Sequence, residues 1–327
     1  MIENRPPLMS VIITTVGGYE SVRTVIEHLK MQTVADRLEV IIVSPSMRLT
    51  AAEEAKLKHF SNSIIMEADL DNGLSDAWVD AVNESRAPII AFGENHAFPE
   101  PQWAEALIEA HKGPWAAVGS VIRNANPGSI NSRAQLYMTY GRWTGPIESG
   151  EAEDLPGHNS SYKRSILLEY GNELKYMLVR ANIMHMDLRA RGCRLYMEER
   201  AAVVHINVSK ASSILPDLFY NGQLYTAALV HYKRWSVLKK IFHALLEPLI
   251  ILRHFQGTMN SLDRDGQRKK LVPAALPIII AGLTAHLFGK LKGYASGFGN
   301  AQKKINSYEF DRFKHITRED IAELSKL

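Results

Sequence analysis

A single cysteine, Cys193, stands in 327 residues. That excludes an internal disulfide framework and any cysteine-rich zinc site, and it fits a reducing compartment. Neither an internal repeat nor a low-complexity tract is apparent. With 46% hydrophobic and 22% charged residues, wholesale disorder and a fibrous architecture are excluded as well. The start, Met1-Ile2-Glu3-Asn4-Arg5-Pro6-Pro7, has an acid and two prolines before a short apolar run. No secretory signal is expected there.

Acids are nearly missing from one stretch. Between His231 and Lys304 thirteen Lys or Arg face three acids, Glu247, Asp263 and Asp265; that surplus of ten leaves the rest of the chain at −7. Such a block implies an anionic partner, nucleic acid or membrane. Within it, Leu271–Phe288 lacks Asp, Glu, Lys and Arg over 18 positions, near the lower edge for a spanning helix of ~20 residues. Pro273, Pro277, Gly282 and His286 interrupt the run, and basic residues flank both ends: Arg268, Lys269 and Lys270, then Lys290 and Lys292. Two basic flanks favour a segment lying on or dipping into one leaflet over a crossing one. A phosphate-binding face has no use for the uncharged run, so the expected partner is an anionic membrane surface and not nucleic acid. The plainer alternative is a pair of core helices with a solvated basic face.

The N-terminal part alternates short β-branched runs with helical patterns. Leu8 to Thr15, Leu38 to Ser44, Ser63 to Glu67 and Pro88 to Gly93 read as strands. Helical stripes fall between them, one opening after Thr50 as N-cap and one over Gly73 to Asn83. This rhythm predicts an α/β domain with a largely parallel sheet. Further on, a helix is expected over Pro99 to Ala110, a strand over Trp115 to Ile122, and a long ordered loop over Arg123 to Gly157. One helix striped from Leu174 to Leu188 and two short strands over Arg194 to Asn207 follow. Residues 1–210 form the expected α/β domain, and residues 211–327 a helical, basic and apolar C-terminal region.

The strand Ile89-Ile90-Ala91-Phe92-Gly93 ends in Glu94-Asn95-His96. Ligands of open α/β sheets bind at the carboxyl ends of the strands, and residues two apart in extended backbone point the same way. Glu94 and His96 can therefore reach one cation, although an acid and a His in a polar loop are commonly no more than solvated surface groups.

From Leu8 to Val208 the order of elements resembles the family 2 glycosyltransferases with the GT-A, Rossmann-like fold. The likeness rests on VIITT, LEVIIVS, GLSDAWVDAVNES, PIIAFGENHAFP, PEPQWAEALIEA, LPGHNSSYKRSIL and LRARGCRLYMEERAAVVHIN. It implies a transferase using a nucleotide-diphosphate sugar, UDP-linked by preference, and probing an Asp-x-Asp-like metal motif that here is Glu94-Asn95-His96. An acid-x-His variant occurs in the related polypeptide N-acetylgalactosaminyltransferases, and by that analogy His205 is a third ligand. Carboxylate with imidazole suits Mn²⁺ better than Mg²⁺. Donor contacts are expected from the polar residues Thr14, Thr15, Ser44, Asp71, Asn72 and Asn95, while Asp71-Asn72-Gly73 reads equally as a turn leading into a helix N-terminus. The resemblance also implies a loop, with Asn159, Lys163 and Arg164, that shapes the donor and acceptor sites. Tyr137, Tyr140, Trp143 and Tyr162 offer faces for sugar C–H stacking or pins for that loop.

Two departures stand out. The second strand runs into Ser44-Pro45-Ser46 where many members carry an Asp that contacts the nucleoside. Near Arg180-Ala181-Asn182, where inverting members place the acid that deprotonates the acceptor hydroxyl, there is no acid. His158 is one substitute and Asp187 a more distant one. The expected function is transfer, with inversion, to a lipid-linked (polyprenyl) or cell-envelope glycan acceptor. The protein is expected in the cytoplasm, peripheral on the inner face of the plasma membrane. The alternative is a catalytically inactive, membrane-docked binding or scaffold relative.

Overall fold

The computed structural model describes residues 5–324, apart from the side chains of residues 70–73 and 323. It divides into two compact units: residues 1–122 with 147–204, and residues 123–146 with 205–327. The first unit ends at Val204, and residues 123–146 belong to the second.

The first unit is built on strands β1 (Met9–Thr14), β2 (Leu38–Ser44), β3 (Asn62–Glu67), β4 (Ile89–Glu94), β5 (Ala97–Pro99), β6 (Trp115–Asn124), β7 (Gly150–Ala152), β8 (Ser161–Lys163) and β9 (Arg194–His205). The sheet runs β3-β2-β1-β4-β8-β6-β9-β5, with β7 also paired to β9. β1, β2, β3 and β4 are mutually parallel where they pair, and β8 is antiparallel to both β4 and β6. Every residue of β1 and β2 is buried. Strands covered on both faces read as continuous Val/Ile runs, which is why the sequence gives them away. Helices α1 (Arg23–Lys30), α2 (Ala51–Leu57), α3 (Leu70–Glu84) and α4 (Trp103–Ala110) connect them. α2 opens with the expected Thr50 cap, completed as a capping box by Glu53.

Several expectations change. Arg123 to Gly157 is not one loop, because it contains helix α5 (Ile130–Tyr140). The stripe from Leu174 to Leu188 is two helices, α7 (Leu174–Leu178) and α8 (Ala181–Ala190), which follow the short α6 (Arg164–Leu168). Arg180 between them is extended, at φ −147° and ψ 102°, and breaks the run. Arg194 to His205 is one twelve-residue strand, not two.

His111, which caps the C-terminal end of α4, is buried with Nε2 2.9 Å from the Ser161 hydroxyl. Burial first, and then the Lys163 charge, push its pKa down to about 3. Above about pH 6.5 both folded and unfolded chains hold it neutral. Below that, the unfolded chain takes up a proton that the folded one refuses until about pH 3, so stability is lost as pH falls through this window, by about 1.4 kcal/mol per pH unit. Urea unfolding should show the wild type losing about 2 kcal/mol more than His111→Gln between pH 6.5 and 5.

The second unit packs α5 with α9 (Ala211–Lys233), α10 (Val237–Arg264), α11 (Arg268–Ser296), α12 (Ala301–Phe310) and α13 (Arg318–Leu324). Prolines do not interrupt α11. It runs 29 residues through Pro273 and Pro277, because one face (Leu271, Ala275, Ile279, Leu283) is core, and packing offsets the lost backbone hydrogen bonds. Among the described residues α11 is the one helix long and apolar enough to cross a membrane. Its glycines let α9 approach. A Cβ on Gly289 would strike the Phe219 carbonyl, and one on Gly293 would meet that of Gln223. Gly289→Ala should therefore cost at least ~1–3 kcal/mol through overpacking. Gly257→Ala on α10, where a Cβ meets nothing within 4 Å, should be neutral or stabilising by ~0.5–1 kcal/mol. Thermal unfolding of the two variants checks the contrast.

Candidate metal centre at the sheet edge

Only Asn95 and His96 separate β4 from β5, and β5 lies beside β9 in the sheet. That connection ties the end of β9 next to the end of β4. Glu94 closes β4, His96 sits in the turn, and His205 is the last residue of β9. All three are buried, and one ligand atom from each lies within 4.8 Å of the others. His96 Nε2 is 3.7 Å from Glu94 Oε1. His96 Nδ1 pairs with Asn95 Oδ1 at 2.9 Å, and His205 Nδ1 with Asn207 Oδ1 at 3.2 Å. An amide oxygen accepts, so each Nδ1 carries a proton, and in the neutral ring Nε2 is then the ligating nitrogen. This is the tautomer that a metal-binding imidazole needs. Asn95 thus orients His96.

A second layer holds these groups. The Asn159 side-chain amide donates to Glu94 Oε2 at 3.0 Å. Asn159 itself is held at φ +61°, a conformation Asn tolerates better than most residues, and its N–H donates to the Phe92 carbonyl at 2.7 Å. This pins the Gly157-His158-Asn159 loop to β4. His158 Nδ1 then lies 3.9 Å from Glu94 Oε1, with a third of its side chain (34%) exposed, and its ring meets Trp78 edge-on at 6.1 Å. On the other side, the Tyr140 ring packs against His205 at 4.9 Å.

The parallel register sets Thr14 beside Glu94 on one side and Val43 on the other, with Ser44 next in line. The Thr14 hydroxyl accepts from Trp78 Nε1 at 2.8 Å, Thr15 bonds the Ser21 hydroxyl at 2.8 Å, and Ser44 donates to the Gly17 carbonyl at 3.4 Å. These residues share the edge that bears the cluster. Asp71 and Asn72 lie outside the described side chains.

Three expected residues are placed elsewhere. Lys163 pairs with Ile89, the first residue of β4, and Arg164 N–H bonds the Pro88 carbonyl. Both belong to the opposite end of β4 from Glu94, five residues or ~16 Å away. Lys163 donates to the Gly113 carbonyl at 3.0 Å and Arg164 to the Asn83 carbonyl at 2.9 Å, so the structure does not bring these two loop residues to the Glu94 end. Asp187 accepts from the Tyr170 hydroxyl at 2.7 Å and pairs with Arg191 at 3.8 Å, a structural place within the helices. Burial, with the Asp187 carboxylate, raises the Tyr170 pKa.

Sequence reasoning did not single out Trp78, except as one residue of a helix stripe. It also missed Asp154-His185-Tyr162, where His185 Nδ1 is 2.6 Å from Asp154 and Nε2 2.8 Å from the buried Tyr162 hydroxyl. No local pattern links those three positions.

Comparison with known families gives a match over residues 10–171 to Glycosyl transferase family 2. The chain carries a family 2 glycosyltransferase domain. Its mixed sheet, parallel through β1–β4, is the GT-A type expected from the sequence. Among solved structures, the crystal structure of GalNAc-T7 with UDP, GalNAc and Mn²⁺ aligns at a TM-score of 0.46 and 12% identity, over 61% of this chain and 43% of that one. The chain therefore spans less than half the length of that protein. A sequence search of curated proteins gives no match. Glu94 and His96, inside the matched stretch, and His205, beyond it, are a donor set that fits a divalent cation.

Proposed function

We propose that the protein transfers a sugar from a nucleotide-diphosphate donor, a UDP-sugar by the family resemblance, to an acceptor hydroxyl at the sheet edge. The observation that carries this reading is the buried Glu94-His96-His205 cluster at the carboxyl end of β4, whose Glu94 and His96 lie in the stretch that matches family 2. Glu94 oxygen and the two Nε2 atoms would hold a divalent cation, Mn²⁺ in preference to Mg²⁺ because two of three donors are imidazoles. A cation there neutralises charge that develops on the departing diphosphate. Asn159 keeps the Glu94 carboxylate aimed, and Asn95 and Asn207 keep the imidazoles in the ligating tautomer. Thr14, Thr15 and Ser44 line the donor side.

His158 is the proposed base. It is near the cluster and partly exposed, so an acceptor hydroxyl can reach it, and the start of α8 (Ala181, Asn182) supplies no acid. A single in-line displacement, with the hydroxyl opposite the departing diphosphate, would invert the sugar. The acceptor is proposed to be a lipid-linked or cell-envelope glycan at the inner membrane face, since the charge surplus of the second unit favours an anionic lipid surface.

The missing acid also favours a second reading, in which the chain binds a donor without turning it over. The deciding experiment supplies a panel of nucleotide-diphosphate sugars with Mn²⁺ and measures free nucleoside diphosphate. Release from at least one donor supports the transferase. Donor-induced stabilisation without release from any donor supports the binding relative.

A further inference from the structure

We infer that one exposed face of α10, and not the more apolar α11, is the surface by which this chain docks on an anionic lipid membrane. Leu238, Ile241, Phe242, Leu245, Leu249 and Leu252 recur at helical spacing and fall within an arc of about 100°. All are exposed; Leu238 is 79% and Leu245 75% accessible. The stripe is about 21 Å long and ends in polar groups on the same face, at Gln256, Asn260 and Asp263. α11 directs Leu271, Ala275, Ile279 and Leu283 into the core. It leaves two large apolar side chains exposed, Ile280 and Phe288, against eight on α10. The helix with the longest uncharged run turns one face into the core, and the larger set of exposed apolar side chains belongs to its neighbour.

Charge decides the occupant. Lys233 and Arg234 precede α10, and Lys239 and Arg253 stand exposed beside the stripe. Before Asp263 the only acid on the helix is Glu247, which is buried, lies on the side opposite the stripe, and is paired with Lys290 at 2.6 Å. An apolar stripe bordered by cations, on a helix with no exposed acid before Asp263, matches an anionic bilayer, where the stripe enters the acyl boundary and the cations meet the headgroups. A contiguous apolar stripe of this extent is unusual on a surface meant only for water.

This inference deepens the membrane-face part of the reading above and is independent of the transfer chemistry. The test sediments the full chain with phosphatidylcholine vesicles, with and without phosphatidylglycerol, at low and high salt. The wild type should bind the phosphatidylglycerol vesicles, more weakly as salt rises, and bind pure phosphatidylcholine less. Leu238→Glu with Leu245→Glu should lower the bound fraction at least tenfold. Met31→Glu, which alters an exposed apolar residue of the first unit, should bind like the wild type. Arg234→Glu with Lys239→Glu should abolish the preference for phosphatidylglycerol. Because all four α10-region sites are exposed, unfolding curves should be unchanged. Wild-type binding that the leucine changes leave intact overturns the assignment to α10 but keeps the membrane-face reading. No binding by the wild type overturns both. A wild-type dimer that the leucine changes dissolve, without vesicle binding, makes a second copy the occupant and also overturns the inference. Nucleotide release measured without vesicles reports separately on the transfer site.

Discussion

Glu94→Gln should lower Mn²⁺-dependent release of nucleoside diphosphate by about 10²-fold or more. The expectation follows from charge. Glu94 is the one carboxylate in a buried cluster whose other members are imidazoles, so its loss leaves no protein anion there to offset a divalent cation brought out of water. Glutamine keeps an oxygen for the Asn159 amide, now 3.0 Å from Glu94 Oε2, so the loop carrying His158 should stay in place. Metal-free stability should therefore change by no more than ~1 kcal/mol. The stabilisation that Mn²⁺ confers on the wild type, ~2.7 kcal/mol at a hundredfold excess over its Kd, should vanish. Thermal unfolding with and without Mn²⁺ separates the two. Full release by Glu94→Gln would remove Glu94 from the chemistry. A loss of release accompanied by a large fall in metal-free stability would mark a structural role.

Lys290→Met should destabilise the second unit by ~3–5 kcal/mol. Lys290 and Glu247 pair at 2.6 Å with side chains 7% and 1% exposed. The Tyr294 hydroxyl donates to Glu247 at 2.7 Å, and the Lys290 ammonium lies 5.4 Å from the Tyr225 ring centre. Removing the lysine leaves a carboxylate buried against one hydroxyl, and the desolvation cost of that charge is then hardly compensated. Removing both charges, Glu247→Gln with Lys290→Met, should recover most of the loss, because the pair itself adds little net stability. Urea denaturation of the two single variants and the double completes the cycle. A single change costing less than ~1 kcal/mol would mean that water reaches the pair.

The sheet was legible where burial imposes a pattern. β1, β2 and β4 are covered on both faces and show as Val/Ile runs, and the Thr50 cap has its Glu53 partner three residues on. Where structure depends on distant partners, the local pattern was silent. Helix α5 looked like a polar loop because Asn131, Ser132 and Gln135 are polar. In the fold Gln135 donates to Asp217 at 2.8 Å and the Tyr137 hydroxyl to Asp265 at 2.9 Å, partners 82 and 128 residues away. Burial, with the Asp265 carboxylate, raises the Tyr137 pKa.

The same division holds at the site. Glu94 and His96 stand two apart at a strand end, so the chain itself shows them. His205 required the family analogy, because what brings it to Glu94 is the place of β5 beside β9. Lys163 and Arg164 were misplaced because sequence order gives no register. β8 is antiparallel to β4, which carries both to the far end of the strand.

The most direct test of the metal centre is a titration with Mn²⁺ in the presence of UDP, with free Mn²⁺ followed by electron paramagnetic resonance. The expected result is one bound ion per chain in the wild type and none at the same concentrations in Glu94→Gln, His96→Ala or His205→Ala. Unchanged Mn²⁺ binding in those three variants would contradict a cation held by this cluster, and with it the proposed transfer chemistry.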